Sequence, residues 1–240
     1  MFLFSPFTSI LWIYYMAAVI PAVWLMSYIY KQDRIEKEPA DLLWKCAGCG
    51  VLAALVSGVL EMIAESLLDM SPIDQNTVTG VMILAFLIVG VIEEGTKYLF
   101  MGKLTWHKPD FNCRFDGIVY AAFASLGFAA FENISYVFRY GLTTAFTRAF
   151  LSIPGHLGFA VLFGCFYGRA KKASDQGKNG RAVFEIIIGY ILAVSLHGIY
   201  DTCAMLGTGK AAALFVVVVA VIYIIVYFLV RHESSTDEYI

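Results

Sequence analysis

Glu93 and Glu94 stand side by side, with Lys97 one helical turn beyond them, in the stretch VGVIEEGTKYLF, whose remaining side chains are mostly apolar. Four more ionisable residues sit in similar surroundings: Glu132 in FAAFEN, His156 in SIPGHLGF, and His197 with Asp201 in SLHGIYD. An ionisable side chain at the centre of a bilayer costs about 2.5–3.5 kcal/mol on insertion scales, so seven of them in one small apolar protein call for a functional reason. The chemistry they can do is proton transfer. Two carboxylates with an ammonium beside them can tune one glutamate as a general base, and a histidine one turn from a carboxylate has a fixed tautomer that serves a proton relay, a metal site or a purely structural contact. The plain alternative for Glu93 and Lys97 is a salt bridge that holds two helices together, but it leaves the second glutamate unexplained.

Helical spacing says how these residues can meet. Positions four apart share a face, which pairs Glu93 with Lys97, His197 with Asp201 and Phe128 with Glu132. Neighbours along a helix point about 100° apart, so Glu93 and Glu94 cannot hold the same position, and one is expected to react while the other positions it. Gly and Ala around these motifs permit close helix approach, and Pro154 next to Gly155 frees backbone groups that irregular structure can aim at a cavity.

The elements that carry them are membrane helices. The chain has 240 residues, 60% hydrophobic and 15% charged, with mean hydropathy +0.73, where a soluble domain has about 25% charged residues. Its apolar runs have the roughly 20-residue length of spanning helices, not the shorter alternation of outer-membrane strands. The expected fold class is all-α: a polytopic transmembrane bundle forming one domain over 1–240, with seven spans at about 9–30, 41–67, 79–101, 116–138, 148–169, 183–205 and 211–230. The first of these reads as a retained helix, not a signal peptide. Thirteen of the seventeen lysines and arginines fall in alternate connections and the tail, from Lys31 to Arg231. That bias puts the N-terminus outside and the C-terminus in the cytoplasm. With a net charge of −2 nothing points to nucleic acid. The five cysteines form no disulfide framework, and Cys46 and Cys49 read as small residues on a helix, not a redox pair. Glu61 and Glu65 are expected to border water at the outer end of the second span. On these boundaries Glu93 falls in the inner half of its span and Glu132, His156 and Asp201 in the outer half. A shared centre therefore requires Glu93 within about 10 Å of His197, or a solvent path between them.

The ordered motifs EExxK (Glu93, Glu94, Lys97), FxxxE (Phe128, Glu132) and HxxxD (His197, Asp201) on successive apolar helices, with a span beginning RAFLSIPGH, resemble the PrsW family of intramembrane proteases. That family is distantly similar to the CAAX-processing and bacteriocin-processing membrane endopeptidases. The resemblance implies a site-1 protease of the bacterial cytoplasmic membrane, cutting a single-span anti-sigma factor on its extracytoplasmic side in a stress response. It also implies that Glu93 or Glu94 activates water, that Glu132, His156 and His197 complete the centre, that Asp201 orients His197, and that Lys97 positions the glutamates. Where the CAAX enzymes have FxxxH and HxxxN, this chain has Glu132 and Asp201, so their assignment of roles does not transfer intact. His197 is the candidate oxyanion donor. The cofactor expectation is open between none and a divalent metal such as zinc, whose candidate ligands would be Glu94, Glu132, His156 and His197; no HExxH motif occurs. A proton- or ion-coupled transporter would use the same residue types, although no duplicated half with broken helices is visible. A sensor or scaffold whose charges only join helices is the third reading.

Overall fold

In lipid every backbone polar group must find its partner inside its own segment, so these apolar runs fold as helices. A computed structural model describes residues 6–240, with side chains from residue 9 onward. Its helices are α1 (Pro6–Gln32), α2 (Ala40–Asp69), α3 (Val78–Met82), a π-helix (Ile83–Gly90), α4 (Val91–Thr105), α5 (Asp116–Tyr140), α6 (Leu142–Phe150), α7 (Ser152–Asp175), α8 (Asn179–Leu206) and α9 (Gly209–Ser235). Helix α3, the π segment and α4 run on as one span, and α6 and α7 as another. Seven helices among the described residues are thus long and apolar enough to cross a membrane, as the composition predicts.

Two spans form the centre. In the apolar windows of α5 and α6–α7, 78% and 67% of residues are buried, against 33% or less in the other five. Helix α5 is held close to α2 by glycine: a Cβ added at Gly50 would lie 1.8 Å from the Ala124 carbonyl oxygen, and one at Gly127 would lie 2.2 Å from that of Ala47. No side chain fits in either contact, so these backbones touch directly.

The fifth span is not the continuous helix that its hydropathy suggests. Gly141, with φ +89°, starts α6, and the chain breaks again at Leu151, whose φ is −112°. Pro154 then stands in the first turn of α7, where its missing N–H removes no helical hydrogen bond. Arg148 and His156 consequently belong to different helices.

At one end of the bundle the connecting segments lock together. The Arg114 N–H donates to the Glu238 carbonyl at 3.1 Å, and the Ile240 N–H to that of Asn112 at 2.8 Å. The 33–39 connection buries Asp33 and Glu38, and Tyr120 donates its hydroxyl proton to Glu38. Burial pushes both carboxyls up, Asp33 to about 6 and Glu38 to about 7.

Candidate active site

The π-helix delivers the EExxK motif to the first turn of α4. Lys97 is wholly buried there, and its ammonium donates to Glu94 Oε1 at 2.6 Å and to Glu93 Oε2 at 3.2 Å. The same nitrogen lies 4.1 Å from the centre of the Phe128 ring, the aromatic residue of FxxxE, and so gains a cation–π contact that replaces some of its lost hydration.

Lys97 also reaches α7, with Nζ 3.2 Å from His156 Nδ1. An ammonium can only donate, so Nδ1 accepts and the ring proton sits on Nε2. That nitrogen donates to Glu132 Oε2 at 3.0 Å. Glu132 stands on α5. Its carboxylate also accepts from Arg148 Nη2 at 2.6 Å, while Arg148 Nε donates to Asn133 Oδ1 at 3.1 Å. Three helices thus converge through one histidine.

His197, on α8, joins the two halves of the centre. Its Nδ1 is 2.9 Å from Glu94 Oε1, and its Nε2 is 3.2 Å from Asp201 Oδ2 and 3.9 Å from Glu93 Oε2. Both nitrogens face carboxylates, and the ring can donate on both sides only as an imidazolium. The Phe159 ring stacks on it at 4.6 Å. All seven residues singled out in the sequence therefore lie in one connected cluster. The apparent difference in depth disappears because the third span runs on to Thr105, past the expected end at 101, which puts Glu93 near its middle.

A cavity of about 680 Å³ opens beside the cluster. Glu93, Glu132, His156, His197 and Asp201 line it, whereas Glu94 and Lys97 lie outside its lining and are fully buried. The adjacent glutamates thus differ in surroundings: Glu93 faces the space where a substrate could enter, and Glu94 faces the cations behind it. Helix α2 supplies a wall of Ala54, Ser57, Gly58, Glu61 and Glu65. Sequence reasoning set the last two aside as water-facing. The signal that could have found them is their spacing of three, four and seven from Ser57 and Gly58, which places small and acidic residues on one helix face.

A divalent ion is the remaining chemical question. Glu93, Glu94 and His156 each offer one ligand atom, and these atoms lie within 4.8 Å of one another, with donor types that suit zinc. Lys97 Nζ, however, sits 2.6–3.2 Å from all three of these side chains and already fills the space among them with a cation. Of the other sequence candidates, Glu132 binds the far nitrogen of His156, and His197 is engaged by carboxylates on both nitrogens. As arranged, these residues do not fit a metal unless Lys97 moves out.

Comparison with known proteins points the same way as the motifs. Residues 38–230 match the family described as "PrsW family intramembrane metalloprotease". The chain is similar to Protease PrsW of Geobacillus kaustophilus, with 32% identity over 77% of this chain and 76% of that one. It is also similar to Protease PrsW of Bacillus subtilis, with 29% identity over 77% and 79%. Similarity to Protease PrsW of Clostridioides difficile is 27% identity over 87% and 86%. No solved structure matches the chain.

Proposed function

Because the chain belongs to the PrsW family of intramembrane proteases, we propose that it hydrolyses a peptide bond of a single-span membrane protein with Glu93 as the general base. The observation that carries this reading is the position of Glu93: on the cavity wall, with its Oε2 3.9 Å from His197 Nε2 and 3.2 Å from the Lys97 ammonium.

The steps follow from the geometry. Glu93 takes a proton from a water in the cavity as that water's oxygen attacks the carbonyl carbon of the peptide, and the carbonyl oxygen becomes an oxyanion. His197 Nε2–H, held by Asp201 at the longer distance of 3.2 Å, turns to donate to that oxyanion. The C–N bond then breaks, the proton on Glu93 passes to the departing amine, and the base is restored. Glu94 and Lys97 hold Glu93 and His197 in register. His156 carries Lys97 on one nitrogen and Glu132 on the other, while Arg148 fixes Glu132 from behind. No step here runs through a metal, since Lys97 stands where one would bind.

The substrate read from the family resemblance is an anti-sigma factor, cut on the outer side of a bacterial cytoplasmic membrane, with the enzyme's N-terminus outside and its C-terminus in the cytoplasm. The test is cleavage of a tagged single-span anti-sigma-type protein by the purified enzyme in liposomes, comparing wild type with Glu93→Gln. Cleavage by the wild type and none by a folded Glu93→Gln variant supports the reading. Equal cleavage by both sinks it.

A further inference from the structure

The cavity beside the cluster is strongly anionic. Its lining includes five carboxylates, from Glu61, Glu65, Glu93, Glu132 and Asp201, against one guanidinium and two imidazoles. The cations are already engaged: Arg148 by Glu132, Asn133 and the Tyr136 ring 3.9 Å from its guanidinium, His156 by Lys97 and Glu132, and His197 by Glu94 and Asp201. Lys97, beneath the lining, is taken by Glu93 and Glu94.

Glu61 has no share in these contacts. Among the described residues neither Glu61 nor Glu65 has an ion-pair partner, and Glu61 Oε1 is shielded from solvent without a hydrogen bond. Next to it on the same face of α2, Ala54, Ser57 and Gly58 also line the cavity, and a Cβ added at Gly58 would meet nothing within 4 Å. A carboxylate without its donor, at the end of a small-residue trough and in an anionic cavity, is complementary to a cationic side chain.

We propose that Glu61, backed by Glu65, determines specificity in this cavity by binding the ammonium or guanidinium of a lysine or arginine close to the bond being cut. This rests on the protease reading above. A basic side chain also suits a membrane-embedded substrate, since its long apolar stem packs along the trough while its charged end reaches Glu61.

The experiment uses the full-length enzyme in liposomes with a library of single-span peptides. Each has one fixed apolar segment and randomised flanking residues, and cut positions are read by mass spectrometry. Wild type is expected to prefer Lys or Arg at one position near the cut by roughly fivefold or more over neutral residues. Glu61→Gln should abolish that preference, Glu61→Asp should keep it, and Glu61→Lys should turn it toward Asp or Glu. A wild type that cuts without basic preference overturns the proposal, as does a Glu61→Gln variant that keeps the preference while cutting every member more slowly, which is the mark of a structural role. If the wild type cuts no member, the protease reading itself falls and takes this inference with it.

Discussion

Lys97 Nζ on α4 lies 3.2 Å from His156 Nδ1 on α7, a contact between residues 59 positions apart in the chain. It makes one lysine the common partner of both glutamates and of the histidine that reaches Glu132. Because Lys97 is wholly buried, its charge is balanced from within the protein. Loss of Lys97, or of Glu94, its nearest anion at 2.6 Å, leaves charge uncompensated in a medium that solvates it poorly.

The two glutamates are expected to fail differently when neutralised. Glu93→Gln should fold with a melting temperature near that of the wild type and lose cleavage by about 10²–10⁴-fold, the usual contribution of a general base. Glu94→Gln removes the carboxylate shared by Lys97 and His197, and should destabilise the protein by about 3–5 kcal/mol. Thermal unfolding in detergent, measured with cleavage on the same preparations, separates the two. A stable, inactive Glu94→Gln beside an active Glu93→Gln would exchange their assignments.

Cleavage should survive a chelator. With Lys97 among the candidate ligands, added zinc should neither raise the melting temperature nor appear at one equivalent per chain by elemental analysis. One bound equivalent, with activity lost on chelation and restored by zinc, would mean that Lys97 moves aside and that an ion stands in its place.

Close contact of α2 with α5 predicts a sharp position dependence for glycine substitutions. Gly50→Val should prevent accumulation of folded protein, because even a Cβ there would lie 1.8 Å from a backbone oxygen. Gly48→Ala, two residues earlier and with nothing within 4 Å of the new carbon, should stabilise α2 by about 0.5–1 kcal/mol. Size-exclusion profiles and melting curves of the two variants check the contrast.

Stability should fall with rising pH through the range set by Asp33 and Glu38. Both carboxyls are raised above their unfolded values by burial, to about 6 and about 7. Their contribution is therefore fully present below the unfolded pKa values and is lost as pH climbs through the folded ones. The melting temperature should be higher near pH 5 than near pH 8, and Glu38→Gln should reduce that difference. A melting temperature that rises over this interval would contradict the assignment.

Much of this arrangement is legible in the sequence because lipid enforces simple rules. Seven apolar runs are read from length alone, and Glu93, Lys97, Glu132, His197 and Asp201 are singled out by the cost of placing charge in hydrocarbon. What escapes is whatever depends on neighbouring helices. Glu61 and Glu65 look like water-facing ends of α2, and only the packing of α2 against α5 and α4, across the cavity from α6 and α8, turns them into a cavity wall. The different surroundings of Glu93 and Glu94 depend on which face of α4 meets α7 and α8, information that adjacent identical residues cannot carry. The break at Leu151 is hidden because hydropathy averages over it.

The π-helix at Ile83–Gly90 has a consequence for how the motif is aimed. Each turn of it closes on one residue more than an α-helical turn would, so the chain reaches Glu93 with a different angular phase from the one a regular helix would give. The segment works as a phase shifter whose setting is counted in residues. Relaxation of 83–90 to regular α geometry at unchanged length would leave every motif residue in the chain and the span still long enough for a bilayer. It would nevertheless swing Glu93 off the cavity wall, so the spacing upstream of the motif is as much a part of the site as the carboxylates themselves.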